Sequence, residues 1–280
     1  MAFQWLKTRF PAKVVAEARR FGTEVTKADR KGRVDCRDDL VITIDPVDAR
    51  DFDDAISVER IEGRRWRLWV HIADVSHYVP PKSALDKEAR RRGNSTYLVD
   101  RVIPMLPEEL SNELCSLKPN LDRLARSVEF VLTDSGRVEQ ARFHSTVIRS
   151  KHRYAYEEAM AILDHEPQNK TEQMLHHANR LAQKLRKARF RSGALNLDVP
   201  EHKVFLDAKG RVSEVRRIEN DISHQLIEEF MLLANEAVAK EIKRRRAKAV
   251  HRIHEEPDDE KLDNLRAQAA LAGLRAGNLA

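Results

Sequence analysis

The order of apolar and polar residues predicts strands in the first half of the chain. Apolar side chains alternate with polar ones from Trp66 to Ala73, and the turn signal Glu62-Gly63-Arg64 connects this run to residues 55–59 as a hairpin. A second, longer hairpin is predicted for residues 126–132 and 137–148, joined by a glycine-containing turn. We therefore expect a sheet built largely from consecutive strands.

Helical spacing and capping residues predict helices on either side of these strands. Ser83 and Gly93 have the positions of an N-cap and a C-terminal glycine, and the periodicity is clearest in the last predicted helix. A further hairpin is expected around Gly210. The predicted helices are residues 11–21, 83–92, 107–114, 171–190 and 222–246. Together with the strands they indicate an α+β fold.

A dense cluster of aspartates interrupts the strand pattern between residues 41 and 58. Five aspartates lie from Asp45 to Asp54, between two apolar runs. Two unit charges ~4 Å apart repel by about 4 kcal/mol at an effective dielectric constant of about 20, so a fold that gathers these side chains needs a counter-charge. Ligands that are all oxygen atoms favour Mg²⁺ or Mn²⁺.

The spacing of these aspartates predicts which of them meet. Pro46 starts a loop after the first strand, and strand alternation places Asp51 and Asp53 on one side, with Asp54 turned away unless the backbone bends. Asp45, at the end of the first strand, can face them across the loop. Such carboxylates could converge on one or two metal ions, the arrangement that two-metal phosphodiester chemistry uses.

Two other interpretations of the cluster are less consistent with the sequence. An EF-hand loop is excluded, because Arg50 and Phe52, or Ala55 and Ile56 in the other frame, occupy positions that require ligands or glycine. A solvated aspartate-rich turn is the common alternative. The strand-loop-strand context and the apolar Phe52 inside the cluster favour the metal site.

Composition and charge indicate the class of binding partner and the cellular compartment of the protein. Lysine and arginine number 51 against 45 aspartates and glutamates, which gives a net charge of +6 and suits a polyanionic partner. Cys36 and Cys115 lack the spacing of a zinc site or a disulfide framework, consistent with a reducing cytoplasm. No apolar stretch approaches the length of a membrane span and no signal sequence is evident, so we expect a cytoplasmic protein without membrane contact.

Basic and aromatic residues alternate between Arg149 and Tyr156. Arg149, Lys151 and Arg153 precede or flank the two tyrosines Tyr154 and Tyr156, a composition suited to single-stranded nucleic acid. The alternative is the start of a helix with Tyr156 in the core. Three arginines at 90–92 similarly allow either phosphate contact or favourable pairing with a helix C-terminus.

Several collinear blocks of this sequence resemble the RNB domain of the ribonuclease II and ribonuclease R family. The first block is the aspartate cluster itself, and the others follow in the same order along the chain. The blocks are Thr43–Pro46, Asp48–Ala55, His71–Val79, Arg92–Tyr97, Ile103–Pro107, Leu114–Leu117, Ile227–Asn235 and Arg252–Pro257. The resemblance implies mixed sheets wrapped by helices around an RNA channel, with the aspartates at its buried end.

The resemblance also implies a chemistry and its residues. Asp45, Asp51, Asp53 and Asp54 match the family's essential Mg²⁺-binding aspartates, whereas Asp48 matches a non-catalytic position. The implied activity is 3′→5′ hydrolysis of single-stranded RNA to nucleoside 5′-monophosphates. Water is the implied nucleophile, so no serine or cysteine nucleophile is required.

The resemblance also implies which residues of this chain would bind RNA. Tyr97 matches one aromatic jaw that holds the 3′-terminal nucleotides, and Leu197 stands where the opposing jaw is usually phenylalanine. Tyr156, Glu228 and Glu229 match positions associated with the ribose and its 2′-hydroxyl, which distinguish RNA from DNA. Which glutamate has this role is left open.

The resemblance predicts a partial domain. Residues 1–39 form a lead-in segment with a helix and residues 40–280 a C-terminally incomplete RNB domain without cold-shock or S1 domains, which a missing segment or a second chain would complete. A non-catalytic RNA-binding remnant is the alternative to an active exoribonuclease. A metal-dependent hydrolase of DNA or of a small phosphodiester is a third possibility, since carboxylates and metal recognise only phosphate.

Overall fold

A mixed α+β architecture forms the protein in a computed structural model, which describes residues 8–195, 201–218, 220–251, 253, 255–275 and 277. The strands are β1 (Val34–Cys36), β2 (Ile42–Asp45), β3 (Asp54–Ile61), β4 (Arg65–Ala73), β5 (Thr96–Tyr97), β6 (Val102–Ile103), β7 (Asp122–Leu132), β8 (Val138–Arg149), β9 (His152–Ala155), β10 (Glu201–Leu206) and β11 (Val212–Ile218). The helices are α1 (Ala12–Arg19), α2 (Val75–Tyr78), α3 (Ala84–Arg92), α4 (Tyr156–Leu163), α5 (Lys170–Arg191), α6 (Ile222–Arg244) and α7 (Asp259–Leu271). A π-helical turn spans Glu109–Leu114.

Seven of these strands form one sheet in the order β1-β8-β7-β4-β3-β2-β9. The inner strands pair antiparallel, as expected for consecutive hairpins, whereas β1 pairs parallel to β8 and β9 pairs parallel to β2. The strand β2, which ends at Asp45, therefore has a neighbour on each side. The strands β5–β6 and β10–β11 form separate two-stranded sheets.

Two apolar clusters bury the side chains of this sheet. The first contains Ile42, Ile44 and Ile56 of the sheet with Leu175 of α5 and Phe230 of α6. The second contains residues such as Val41, Ala55 and Phe52 together with side chains of α1, α3 and the π-helical turn. Each large apolar side chain removed from water contributes about 1.5–3 kcal/mol, so both clusters stabilise the strands that carry the aspartates.

The chain divides into two compact units at residue 237. Residues 1–237 contain the sheets, helices α1–α5 and most of α6. Residues 238–280 contain the end of α6 and helix α7, none of whose residues is buried. No helix in the described ranges is both long and apolar enough to cross a membrane.

The predicted α+β class is confirmed, and most predicted elements occur with shifted ends. Helix α1 begins after Pro11 and ends at Arg19, earlier than the predicted Phe21. The Ser83 hydroxyl caps α3, as predicted, by accepting from the Asp86 amide, and the Asp86 side chain accepts from Lys82 N. Within the 1–39 lead-in, β1 was not predicted, because three residues at a sheet edge give too short a pattern. Helix α7 was also missed.

Candidate active site

The aspartate cluster lies where β2 ends and β3 begins. Asp45 is the last residue of β2 and Asp54 is the first residue of β3, and these strands are antiparallel neighbours. Asp51 and Asp53 lie in the loop that connects them. The backbone oxygen of Asp53 accepts from Ala73 N at 2.9 Å, so the end of this loop is attached to β4. The fold therefore brings all four aspartates to one edge of the sheet.

The side chains of this loop alternate around Phe52. Phe52 is only 9% exposed and belongs to the second apolar cluster, and the guanidinium of Arg153 lies 5.4 Å from its ring centroid. The Tyr97 hydroxyl lies 3.4 Å from Asp51 Oδ2. Burial and then the charges of Asp51 and Asp53 raise the pKa of Tyr97. Asp51 thus lies beside Tyr97, and the charge of Asp53 acts on the same hydroxyl.

Asp45 is the most deeply buried carboxylate of the cluster. It is 8% exposed, and its Oδ2 atom has no hydrogen-bond partner among the described residues. Burial and then the negative charge of Asp54 raise the pKa of Asp45 to about 7. A buried carboxylate with a free oxygen and a negative neighbour favours either a proton or a cation.

The pKa values of Asp53 and Asp54 are raised in the same direction. Burial, followed by the charge of Asp53, raises the pKa of Asp54 to about 6. Burial, followed by the charge of Asp51, raises the pKa of Asp53. At this edge, burial and neighbouring carboxylates are the causes of the raised pKa values of Asp53 and Asp54, and no lysine or arginine is among them. An oxygen-only donor set of this kind fits a hard divalent cation.

These side chains do not form a closed ligand cage. In the part of the chain that the structure describes, no group of three or more His, Cys, Asp or Glu side chains has the spacing of a formed metal site. The aspartates are near enough to raise one another's pKa, and their mutual repulsion favours separated side-chain positions. The oxygen donors of these residues fit a divalent cation, and the identity of the metal stays a prediction.

Tyr156 lies beside the aspartates and against the first residues of α6. Its ring stacks on the His224 ring with 3.8 Å between centroids and 13° between planes. His224 Nδ1 lies 2.8 Å from the Asp221 carboxylate, which also accepts the Ser223 amide before the first turn of α6. Burial and then the charges of Asp54 and Asp45 raise the pKa of Tyr156 to about 12. Tyr156 thus packs on the core and reaches the acidic centre.

Sequence reasoning missed His224 and Asp221 at this site. The capping position of Asp221, just before an apolar helix, was the available signal. It could have placed Asp221 and His224 at a helix start but not beside Tyr156.

The two predicted glutamates have different environments on α6. Glu229 is buried, and Arg189 Nη2 donates to its Oε1 at 2.6 Å, with Arg186 Nη1 at 3.4 Å. Glu228 is more exposed and lies 3.4 Å from Arg189. Glu228 follows His224 by one helical turn and so shares its face. Leu197, the other predicted RNA contact, lies outside the described residues.

Most of the basic side chains that could contact RNA phosphates have partners within the protein. Lys151 Nζ donates to Arg37 O at 2.6 Å, the Arg153 guanidinium donates to Pro46 O, and Arg149 pairs with Asp122. The three arginines that end α3 pair with Asp86 and Glu88 of the same helix. These observations favour the structural interpretation of both basic stretches.

The mixed sheet and its acidic edge agree with the comparison to known families. The family model described as RNB domain matches residues 33–278. The chain therefore belongs to the RNB domain family, which confirms the resemblance.

Curated relatives of this chain carry the name Ribonuclease R. The protein from Thermotoga maritima is 44% identical over 273 residues, which cover 95% of this chain and 38% of the relative. The protein from Escherichia coli is 41% identical over 257 residues, covering 90% of this chain and 32% of the relative. The chain thus spans about a third of the length of these relatives.

Solved structures give the same assignment. Mycoplasma genitalium RNase R in complex with ribose methylated single-stranded RNA matches with a TM-score of 0.87 and 28% identity, covering 95% of this chain and 42% of that chain. Yeast Ssd1, described as a pseudonuclease, matches with a TM-score of 0.72 at 18% identity, covering 89% of this chain and 31% of that chain, a likeness of fold alone. The fold by itself therefore does not decide activity, and the site residues must.

Proposed function

We propose that this chain is the catalytic part of a Mg²⁺-dependent 3′→5′ exoribonuclease that hydrolyses single-stranded RNA to nucleoside 5′-monophosphates in the cytoplasm. The observation that carries the proposal is the placement of Asp45, Asp51, Asp53 and Asp54 at the end of β2, in the following loop and at the start of β3. Asp45 is buried near Asp54 with a carboxylate oxygen that has no partner among the described residues, an arrangement that a bound cation would stabilise. The names of the Ribonuclease R relatives and the RNA in the M. genitalium structure support the substrate class.

The four aspartates would hold Mg²⁺, with Mn²⁺ as the alternative ion. A bound divalent cation supplies activation of water and stabilisation of charge on the reacting phosphate. The residues of this chain provide its surroundings: Phe52 and Ala73 fix the backbone around Asp53, and β2 holds Asp45 below the loop.

The aromatic side chains around the cluster suit the 3′ end of an RNA strand. Tyr97 is 68% exposed and lies beside Asp51, so its ring is available to stack on a base. Tyr156, stacked on His224, is influenced by the charges of Asp54 and Asp45, and Glu228 shares the helix face of His224. We assign ribose recognition to Tyr156 and Glu228 rather than to Glu229, whose carboxylate is already engaged by Arg189.

A Mg²⁺-supplemented incubation with a 5′-labelled single-stranded RNA tests this function. The wild type and Asp53→Asn are compared at one-nucleotide resolution, and Asp48→Asn is the matched control because Asp48 lies in the same loop but pairs with Lys203 at 2.8 Å. We expect shortening from the 3′ end with the wild type and Asp48→Asn, and none with Asp53→Asn despite retained RNA binding.

The other outcomes separate the alternatives. RNA binding without shortening in the wild type would support a chain that needs a further segment or a second chain for turnover, or a non-catalytic RNA-binding role. Equal shortening of DNA and RNA of one sequence would contradict the assignment of an RNA substrate. Hydrolysis that persists in Asp53→Asn would refute the role of the cluster.

A further inference from the structure

The backbone of the aspartate loop is held by a serine from a distant part of the chain. Ser116 is completely buried, and its hydroxyl accepts from Phe52 N at 3.1 Å and donates to Arg50 O at 2.9 Å. Arg50 and Phe52, which carry these two backbone groups, flank Asp51, and Phe52 directly precedes Asp53. We propose that Ser116 is a positioning residue for the cation site of Asp51 and Asp53, an inference that rests on the proposed function.

A second contact completes the attachment at Phe52. Leu117 N donates to Phe52 O at 2.8 Å, so both backbone polar groups of Phe52 are bonded to the Ser116–Leu117 segment. The Phe52 ring is buried in the second apolar cluster. With backbone and ring of Phe52 both fixed, the positions of the adjacent residues Asp51 and Asp53 are restricted, and Asp51 Oδ2 lies 3.4 Å from the Tyr97 hydroxyl.

The Ser116–Leu117 segment is itself anchored to the main sheet. Arg123, a buried residue of β7, donates from Nε to Ser116 O at 2.8 Å. The next residue, Leu124, accepts from Asp74 N at 3.0 Å, and Ala73 N reaches Asp53 O. The loop is thus attached to β7 through Ser116 and to β4 through the backbone of Asp53. These attachments restrict the movement of the loop that carries Asp51 and Asp53.

The hydroxyl is the part of Ser116 that this arrangement needs. A hydroxyl can accept from an N–H group and donate to a carbonyl at the same time, which a methyl group cannot do. Alanine would leave both the Phe52 amide and the Arg50 carbonyl without this partner. Residues that orient the ligands of a metal typically change metal affinity or activity about 10–100-fold when they are substituted.

The test measures cation binding directly, without relying on turnover. Binding of Mn²⁺ to the full chain is followed by electron paramagnetic resonance for the wild type, Ser116→Ala and Ser116→Thr. Ser127→Ala is the matched control, because Ser127 is also buried and hydrogen-bonded but contacts His71 and Thr146 between strands. The Mg²⁺ concentration for half-maximal RNA hydrolysis is measured on the same variants.

We expect Ser116→Ala to weaken Mn²⁺ binding and raise the Mg²⁺ requirement by about tenfold or more, while Ser116→Thr stays within about threefold of the wild type. Ser127→Ala should lower thermal stability without this change in cation affinity. Equal cation affinities of Ser116→Ala and Ser127→Ala would overturn the proposal.

Hydrogen exchange provides a measurement that needs no variant. If Ser116→Ala does not fold, the exchange rates of the Phe52 and Leu117 amides in the wild type provide the test. Protection of both amides supports the attachment, and exchange at the rate of an open loop overturns it. Wild-type Mn²⁺ binding without RNA hydrolysis would contradict the proposed function alone. Absence of any Mn²⁺ binding to the wild type would overturn both.

Discussion

Replacing Asp45 with asparagine should make the metal-free protein more stable at alkaline pH. The folded state raises the pKa of Asp45 from 3.8 to about 7, so this carboxyl keeps its proton in the folded chain after the unfolded chain has lost it. Stability from this group is complete below pH ~4 and is lost as pH rises through about 7, because the folded state binds more protons in that window. Asparagine carries no charge at any of these pH values.

The magnitude follows from the size of the pKa difference. Each pKa unit corresponds to about 1.4 kcal/mol, so a rise of about three units penalises the ionised folded state by up to about 4 kcal/mol. At pH 4 the wild type and Asp45→Asn both carry a neutral, buried polar group, and their free energies of unfolding should differ little. At pH 8 the variant should be more stable by about 2–4 kcal/mol.

Urea denaturation at pH 4 and pH 8 in the presence of a chelator measures this difference. Asp48→Asn is the control with the opposite sign, because Lys203 lowers the pKa of Asp48. Addition of Mg²⁺ at pH 8 should then stabilise the wild type and leave Asp45→Asn nearly unchanged. A stability difference between wild type and Asp45→Asn that is the same at both pH values would refute the reasoning, since the buried charge would then have no energetic consequence.

Other substitutions separate binding from folding. Tyr97→Ala should weaken single-stranded RNA binding by about 1–3 kcal/mol, the value of one stacked base, with an unchanged melting temperature because the ring is exposed; a fluorescence anisotropy titration checks this. Glu229→Gln should destabilise the protein by about 1.5–3 kcal/mol by removing the charge-assisted hydrogen bonds of Arg189 to the buried carboxylate, as measured by urea denaturation. Glu228→Gln should retain stability and reduce the preference for RNA over DNA in a competition assay, and an effect on stability equal to that of Glu229→Gln would contradict our assignment.

The local geometry of the aspartate loop was predictable from sequence, whereas its surroundings were not. Alternation around Phe52 depends only on neighbouring residues, and the structure buries Phe52 while Asp51 Oδ2 lies 3.4 Å from the Tyr97 hydroxyl. His224 and Ser116 reach the site through tertiary contacts that no local pattern contains. The different roles of Glu228 and Glu229 depend on Arg189, which belongs to another helix. The metal and the contact of Leu197 stay predictions.

The parallel pairing of β2 with β9 has a consequence for the order in which the protein folds. Ile42 pairs with His152 and Asp45 with Ala155, so the strand that carries Asp45 gains this neighbour only after the β7–β8 hairpin has been synthesised and folded back. Contacts between residues so distant in sequence form slowly, because the intervening chain must lose its freedom first. The antiparallel pairing of β2 with β3, the hairpin that carries the four aspartates, needs only neighbouring residues, whereas the other side of β2 is covered only once β9 is in place.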